Sequence, residues 1–167
     1  MGRILKFSLL ALVLLGIGLA LYAGASPYLF LRSLQKAILE GDRVRLERMV
    51  DFPRLREGLK SQLQVHLLKS VEEEAKQNPF AGLAYLFVAG MVDPLVDALV
   101  SPEGLATLGT GADPGEAPKE EVKSWRLRYV DFRTVYVHHP KDPQSRLYLE
   151  RQGLFGWKVV RMEIPMN

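Results

Sequence analysis

The sequence predicts an α+β protein: an N-terminal transmembrane helix, then several helices packed on a C-terminal four-stranded antiparallel meander. Three patterns in its 167 residues carry this reading. Phe7 to Ala25 is a run of nineteen residues without a charge. Apolar residues then recur at three- and four-residue steps as far as Leu108, and from Val122 the recurrence changes to every second residue.

The apolar run follows Met1 to Lys6, a short basic tail, and as a helix it covers roughly 28 Å at about 1.5 Å per residue, close to the thickness of a bilayer's hydrocarbon. Residues 1–25 are therefore read as a transmembrane anchor or a signal sequence. Ala23-Gly24-Ala25 has the small residues of a signal-peptidase site, while an apolar core of nineteen residues is longer than the roughly 7–15 of a signal peptide and favours the uncleaved anchor. No Cys follows the run, so an N-terminal lipoprotein is excluded. Arg3 and Lys6 before it and Arg32 and Lys36 after it nearly balance. A charged tail this short stays inside, which places the domain in the periplasm, on a single-pass protein of a bacterial inner membrane.

Residues 26–108 form the helical part of one domain. Ser26-Pro27 starts a helix whose core face is Tyr28, Leu31, Leu34, Ala37 and Ile38, and Gly41 stops it. Asp42 caps a short helix carrying Val44, Leu46, Met49 and Val50. Asp51-Phe52-Pro53 opens a long helix through Leu55, Leu59, Leu63, Leu67 and Val71, ending in the solvated Glu72, Glu73 and Glu74. Asn78-Pro79 opens another, with Phe80, Leu83, Ala84, Phe87 and Met91 on one face. Its uncharged stretch from Phe80 to Val92 is thirteen residues, too short to cross a bilayer, so it reads as a buried helix in preference to a membrane-dipping one. Asp93-Pro94 and Ser101-Pro102 begin two further short pieces. GTGADPGEAP, residues 109–118, is a flexible connector.

Residues 119–167 supply the sheet. Trp125, Leu127 and Tyr129 alternate with polar neighbours, as do Val135 and Val137, then Leu147 and Leu149; in the last strand Val160, Met162 and Ile164 share a side. Pro140 to Pro143 and Gly153 to Gly156 are the turns between them.

SPYLFLRSLQKAILEGDRVRLERMVDFPRLREGLKSQL at residues 26–63, SPEGLATL at 101–108 and the ending LYLERQGLFGWKVVRMEIP together resemble a bacterial family, domain of unknown function 2939. VDFPRLRE is the most specific of these stretches. The resemblance implies a membrane-anchored or secreted envelope protein and brings no catalytic residues with it. Helices followed by a curved meander also look like the cone-shaped NTF2-like architecture, a likeness of fold alone.

The residue inventory excludes more functions than it supports. Subtracting Arg3 and Lys6 from the 22 Lys and Arg leaves 20 against 19 Asp and Glu, so the net charge of +3 belongs mostly to the N-terminus and a nucleic-acid partner is not expected. The absence of Cys removes disulfides, thiol nucleophiles and Cys-ligated metals. His66 has no ligand partner at helical spacing, and His138 and His139 point to opposite faces of a strand, so no metal site or cofactor is expected. No nucleophile elbow or phosphate loop occurs. Asp51, Phe52, Arg54 and Arg56 read as a structural cap cluster, with Asp51 accepting N–H groups at a helix start and paired to an Arg. Arg126, Arg128, Tyr136, His138, Arg146 and Tyr148 fall on the polar side of the strands and read as a solvated face. Trp125, Leu127 and Tyr129, between sheet and helices, are the candidate ligand-binding residues if an internal pocket exists, and core otherwise. The function these features favour is a non-catalytic, membrane-anchored extracytoplasmic module that binds a protein partner or a small ligand. The alternatives are an NTF2-like enzyme with a pocket between helices and sheet, and a self-associating structural envelope protein.

Overall fold

A computed structural model describes residues 2–75, 78, 80–105 and 122–165; the connector expected at 109–118 lies outside them. The elements run in the order α1 (Gly2–Glu40), α2 (Arg43–Met49), α3 (Phe52–Ala75), α4 (Ala81–Leu99), β1 (Arg126–Tyr129), β2 (Thr134–His139), β3 (Asp142–Gln152) and β4 (Gly156–Glu163). The four strands form one antiparallel sheet in sequence order, as the meander predicts.

The boundary expected at Ser26-Pro27 is absent, because α1 is a single helix of 39 residues with Pro27 inside it. An interior proline leaves a carbonyl one turn back without its helical partner, and this helix tolerates it because the rest of the domain supplies donors there. Beyond Pro27, Leu31, Leu34, Ala37 and Ile38 are buried as expected, whereas Tyr28 is half exposed. Gly41, at φ 64°, ends the helix. The bonds Gly41 N to Ile38 O (3.1 Å) and Asp42 N to Ala37 O (2.9 Å) close a Schellman motif there.

Asp42 Oδ1 accepts from Arg45 N at 3.0 Å and caps α2, which buries Leu46 and Met49 but leaves Val44 in solvent. The chain then pairs briefly with the sheet, where Val50 forms an isolated parallel bridge to Val159, and α3 leaves from that point. Gln62 Nε2 donates to Met162 O at 2.6 Å, so α3 advances along β4 toward the end of the sheet opposite the β3–β4 turn. The interlayer core is Leu34, Leu46, Leu55, Val135, Leu149 and Val159, each at most 2% exposed.

Two helix readings are corrected. Asp93-Pro94 does not start a new piece: Pro94 lies inside α4, whose Val92, Val96 and Val100 stay buried at four-residue steps across it. Lys60 of α3 lies 3.7 Å from Asp93 and 3.0 Å from Asp97, which holds the two helices in register there. Nor is α4 buried on the face expected, since Phe80, Leu83, Phe87 and Met91 are all more than half exposed. The helix packs on α3 through its valine seam, and the second apolar face is left uncovered by the described residues.

The last strand departs from strict alternation. Tyr148 pairs with Arg161 but Leu149 pairs with Val159, so Val160 is an extra residue in β4. This bulge puts Trp157 and Val159 on the core face ahead of Met162, in place of a face made of Val160, Met162 and Ile164. Trp157, Val159 and Val160 are all buried, and Ile164 is exposed.

Candidate functional site

The feature that distinguishes this fold is the junction where α1 crosses one end of the sheet. Pro27 has no N–H for the carbonyl of Ala23. Ser26 Oγ donates to that carbonyl at 2.8 Å and Arg151 Nη2 at 3.1 Å. The Tyr129 hydroxyl donates to the next carbonyl, Gly24 O. Trp157 Nε1 in turn donates to Ser26 Oγ at 2.8 Å, so this buried serine is both donor and acceptor.

Arg151 is the centre of the arrangement and is only 8% exposed. Its Nε donates to Phe132 O at 2.9 Å and its Nη1 to Leu154 O at 2.6 Å. The guanidinium carbon lies 4.2 Å from the ring centre of Phe132 and 4.4 Å from that of Trp157. A desolvated cation is thus satisfied by three backbone carbonyls and two aromatic faces. Local sequence explains how these groups meet. In an antiparallel meander the first and third turns lie at the same end; Phe132 belongs to one and Leu154 to the other. The first turn is set by Asp131, whose Oδ1 accepts from Arg133 N (2.6 Å) and Thr134 N (2.8 Å), and the second by Gly153 at φ 66°. One arginine therefore ties both turns to the helix. Burial, with Tyr28 close by, raises the Tyr129 phenol above its ordinary pKa.

The candidate ligand residues Trp125, Leu127 and Tyr129 do come together, with Tyr28, Leu31, Arg126 and Arg128, around a depression of about 590 Å3. It is open to solvent along the flank of β1: Leu127 is buried, Trp125 half-buried and Tyr129 43% exposed. The cap cluster divides. Asp51 Oδ1 accepts from Arg54 N at 3.3 Å and caps α3, and Phe52 is buried. The arginine partner expected for Asp51 is instead bound to the sheet, since Arg54 makes a two-pronged pair with Glu150 at 2.8 and 3.1 Å. That hydrogen-bonded pair lowers the Glu150 pKa and raises that of Arg54. Arg56 donates to Val100 O at 2.6 Å and ties α3 to the end of α4.

Part of the polar side of the strands is held by its own contacts. Arg146 lies over Tyr136 at 5.1 Å and Arg161 over Tyr148 at 4.0 Å, while the Tyr148 hydroxyl donates to Glu163 at 2.8 Å. Among the described residues no group of three His, Asp or Glu is placed to hold a metal ion. His139 Nδ1 accepts from Lys141 N at 3.1 Å in the β2–β3 turn, and His66 lines an open depression of about 320 Å3 between α3 and Ile164.

Sequence reasoning missed Arg151, Ser26 and Trp157 as a unit. A signal was present, because Arg151 continues the inward phase of Leu147 and Leu149, where a charged residue must find partners. The partners themselves are 128 and 131 positions apart in the chain for Ala23–Arg151 and Ser26–Trp157, beyond the reach of any local pattern.

Fold and junction define a class: an α+β domain locked to one helix that is long and apolar enough to cross a membrane. The chain belongs to the family described as protein of unknown function (DUF2939), whose profile matches residues 17–108, just over half its length. The match takes in the end of the apolar run and the helical part and stops before the sheet. No curated protein and no solved structure matches the chain.

Proposed function

We propose that this protein is a non-catalytic docking module, held in a bacterial inner membrane by α1 and presenting α4 to a partner protein on the extracytoplasmic side. The observation that carries the reading is the second apolar face of α4. Leu83, Phe87, Met91, Leu95 and Leu99 recur every four residues and are 48–72% exposed, next to the valine seam that packs on α3. A surface helix needs one apolar stripe to join its domain. A second, contiguous stripe of this size fits an interaction surface, and helix-on-helix packing is the mode its spacing suits. The partner is then a protein that offers an apolar stripe of its own.

The uncleaved anchor is supported by the junction, because cleavage after Ala25 would remove the Ala23 and Gly24 carbonyls that Arg151 and Tyr129 hold. The short basic tail before the apolar run supports an inside N-terminus, and a periplasmic reporter fused after Asn167 tests it by its activity.

The docking face is tested by placing a photo-crosslinking side chain at Phe87 in the full chain, in native membranes, with Glu73 as an exposed control. A discrete protein adduct from position 87 that Met91→Asp abolishes is the expected result. An adduct only to lipid, or one equally strong from position 73, rejects the reading, and an adduct of twice the chain's own mass replaces it with self-association.

A further inference from the structure

The meander has two unlike ends. The β2–β3 tip carries His139, Pro140, Lys141, Asp142, Pro143 and Gln144, and no large aliphatic or aromatic side chain. The other end carries the two turns that Arg151 ties to α1, and there four large apolar side chains stand exposed among polar ones: Val130 at 56%, Phe132 at 64%, Leu154 at 72% and Phe155 at 37%. Of the two charged groups in the first turn, Asp131 caps that turn and Arg133 is an exposed cation.

We propose that this end of the sheet is seated in the membrane interface, with Phe132, Leu154 and Phe155 inserted among the lipid headgroups and upper acyl chains. The occupant is fixed by depth along α1. The charge-free part of the helix starts at Phe7 and reaches Leu31. A hydrocarbon layer of about 30 Å takes up roughly twenty residues of helix, so it ends near residue 26. The Phe155 ring meets the Tyr22 ring edge-on at 5.0 Å between centroids, and Arg151 and Tyr129 hold the carbonyls of Ala23 and Gly24. Both turns are thereby fixed at the level where the helix leaves the lipid. Tyr22 and Tyr28 span about 9 Å of α1 around the point where it leaves the lipid, Tyr129 lies 6.5 Å from Tyr28 between ring centres, and the three make the aromatic belt that interfaces favour. Arg128 and Arg133 flank the turns as cations for lipid phosphates. Because Arg151 locks the turns to the helix, the domain cannot swing about its anchor. It stands in one orientation, with the β2–β3 turn directed away from the bilayer.

The inference rests on the anchor reading, and one experiment separates the two. The chain has no cysteine, so the full-length protein accepts a single nitroxide-labelled thiol at Leu14→Cys, Phe132→Cys, Leu154→Cys or Gln144→Cys, all exposed positions, after reconstitution into phosphatidylcholine and phosphatidylglycerol vesicles. Collision rates with oxygen, which concentrates in lipid, and with a water-soluble nickel chelate read the depth of each label. The expected result is a several-fold exclusion of nickel at 132 and 154, deeper exclusion at 14, and free access at 144. If 14 is shielded while 132 and 154 are as accessible to nickel as 144, the anchor stands and the seating of the sheet is overturned. If 14 itself is open to nickel, both fail.

Discussion

Replacing Arg151 by methionine keeps most of the volume and removes the guanidinium that joins three segments. Three hydrogen bonds from a charged donor are lost, to Phe132 O, Leu154 O and Ala23 O. At about 1.5–3 kcal/mol each the gross loss is about 4.5–9 kcal/mol. The carbonyls of Phe132 and Leu154 lie in turns at the hydrated headgroup level and regain water, and the apolar side chain still packs on Phe132 and Trp157, so the net cost falls to about 3–5 kcal/mol. For a chain of this size that lowers the melting midpoint by about 6–20 °C. Trp157 is the natural probe, because its indole both faces the guanidinium and donates to Ser26 Oγ. The assay is thermal unfolding of the full chain in detergent micelles, followed by tryptophan emission and circular dichroism. Arg151→Lys keeps the charge but offers one point donor to three separated carbonyls, and falls between wild type and Arg151→Met. A midpoint for Arg151→Met within about 2 °C of wild type, less than 1 kcal/mol on the same scale, refutes the claim that this arginine holds the junction together.

Asp51→Ala removes the side-chain cap of α3 and lowers stability by about 0.5–2 kcal/mol, while Phe52→Ala empties a buried aromatic position at a cost of about 3–5 kcal/mol; the two are compared in the same melts. The Arg54 pair holds the Glu150 carboxyl below its ordinary pKa, so the folded state binds fewer protons than the unfolded chain as pH falls through the range between the two values. The pair's contribution is present above the unfolded pKa of about 4.3 and is lost below the folded one. Glu150→Gln therefore removes part of the acid-side slope of stability, and because both side chains are about half exposed the effect is limited to about 0.2–1 kcal/mol. An unchanged slope between pH 5 and pH 2 shows that the pair does not survive in solution.

The sequence by itself determined the elements whose causes are local. Helix ends followed from single residues, as at Gly41, Asp42 and Asp51, because a cap or a left-handed glycine acts within one turn. The four strands and their order followed from period-two alternation and turn residues, because neighbouring strands of a meander pair through short connections. The nineteen-residue charge-free run determined a helix long enough to span a membrane, since length and lack of charge are all that test needs. Only the tertiary structure decided where local rules were overruled. Pro27 reads as a helix start, yet sits mid-helix because Ser26, Arg151 and Tyr129 satisfy the carbonyls around it. The bulge at Val160 moved Trp157 and Val159 onto the core face, since one inserted residue inverts the alternation beyond it. Periodicity put the core face of α4 on Phe80, Leu83, Phe87 and Met91, yet α3 covers the valine seam beside it. That choice is made by Lys60, Arg56 and the valine seam, contacts between residues more than thirty positions apart, whose energies depend on how two elements are docked and not on what either one contains.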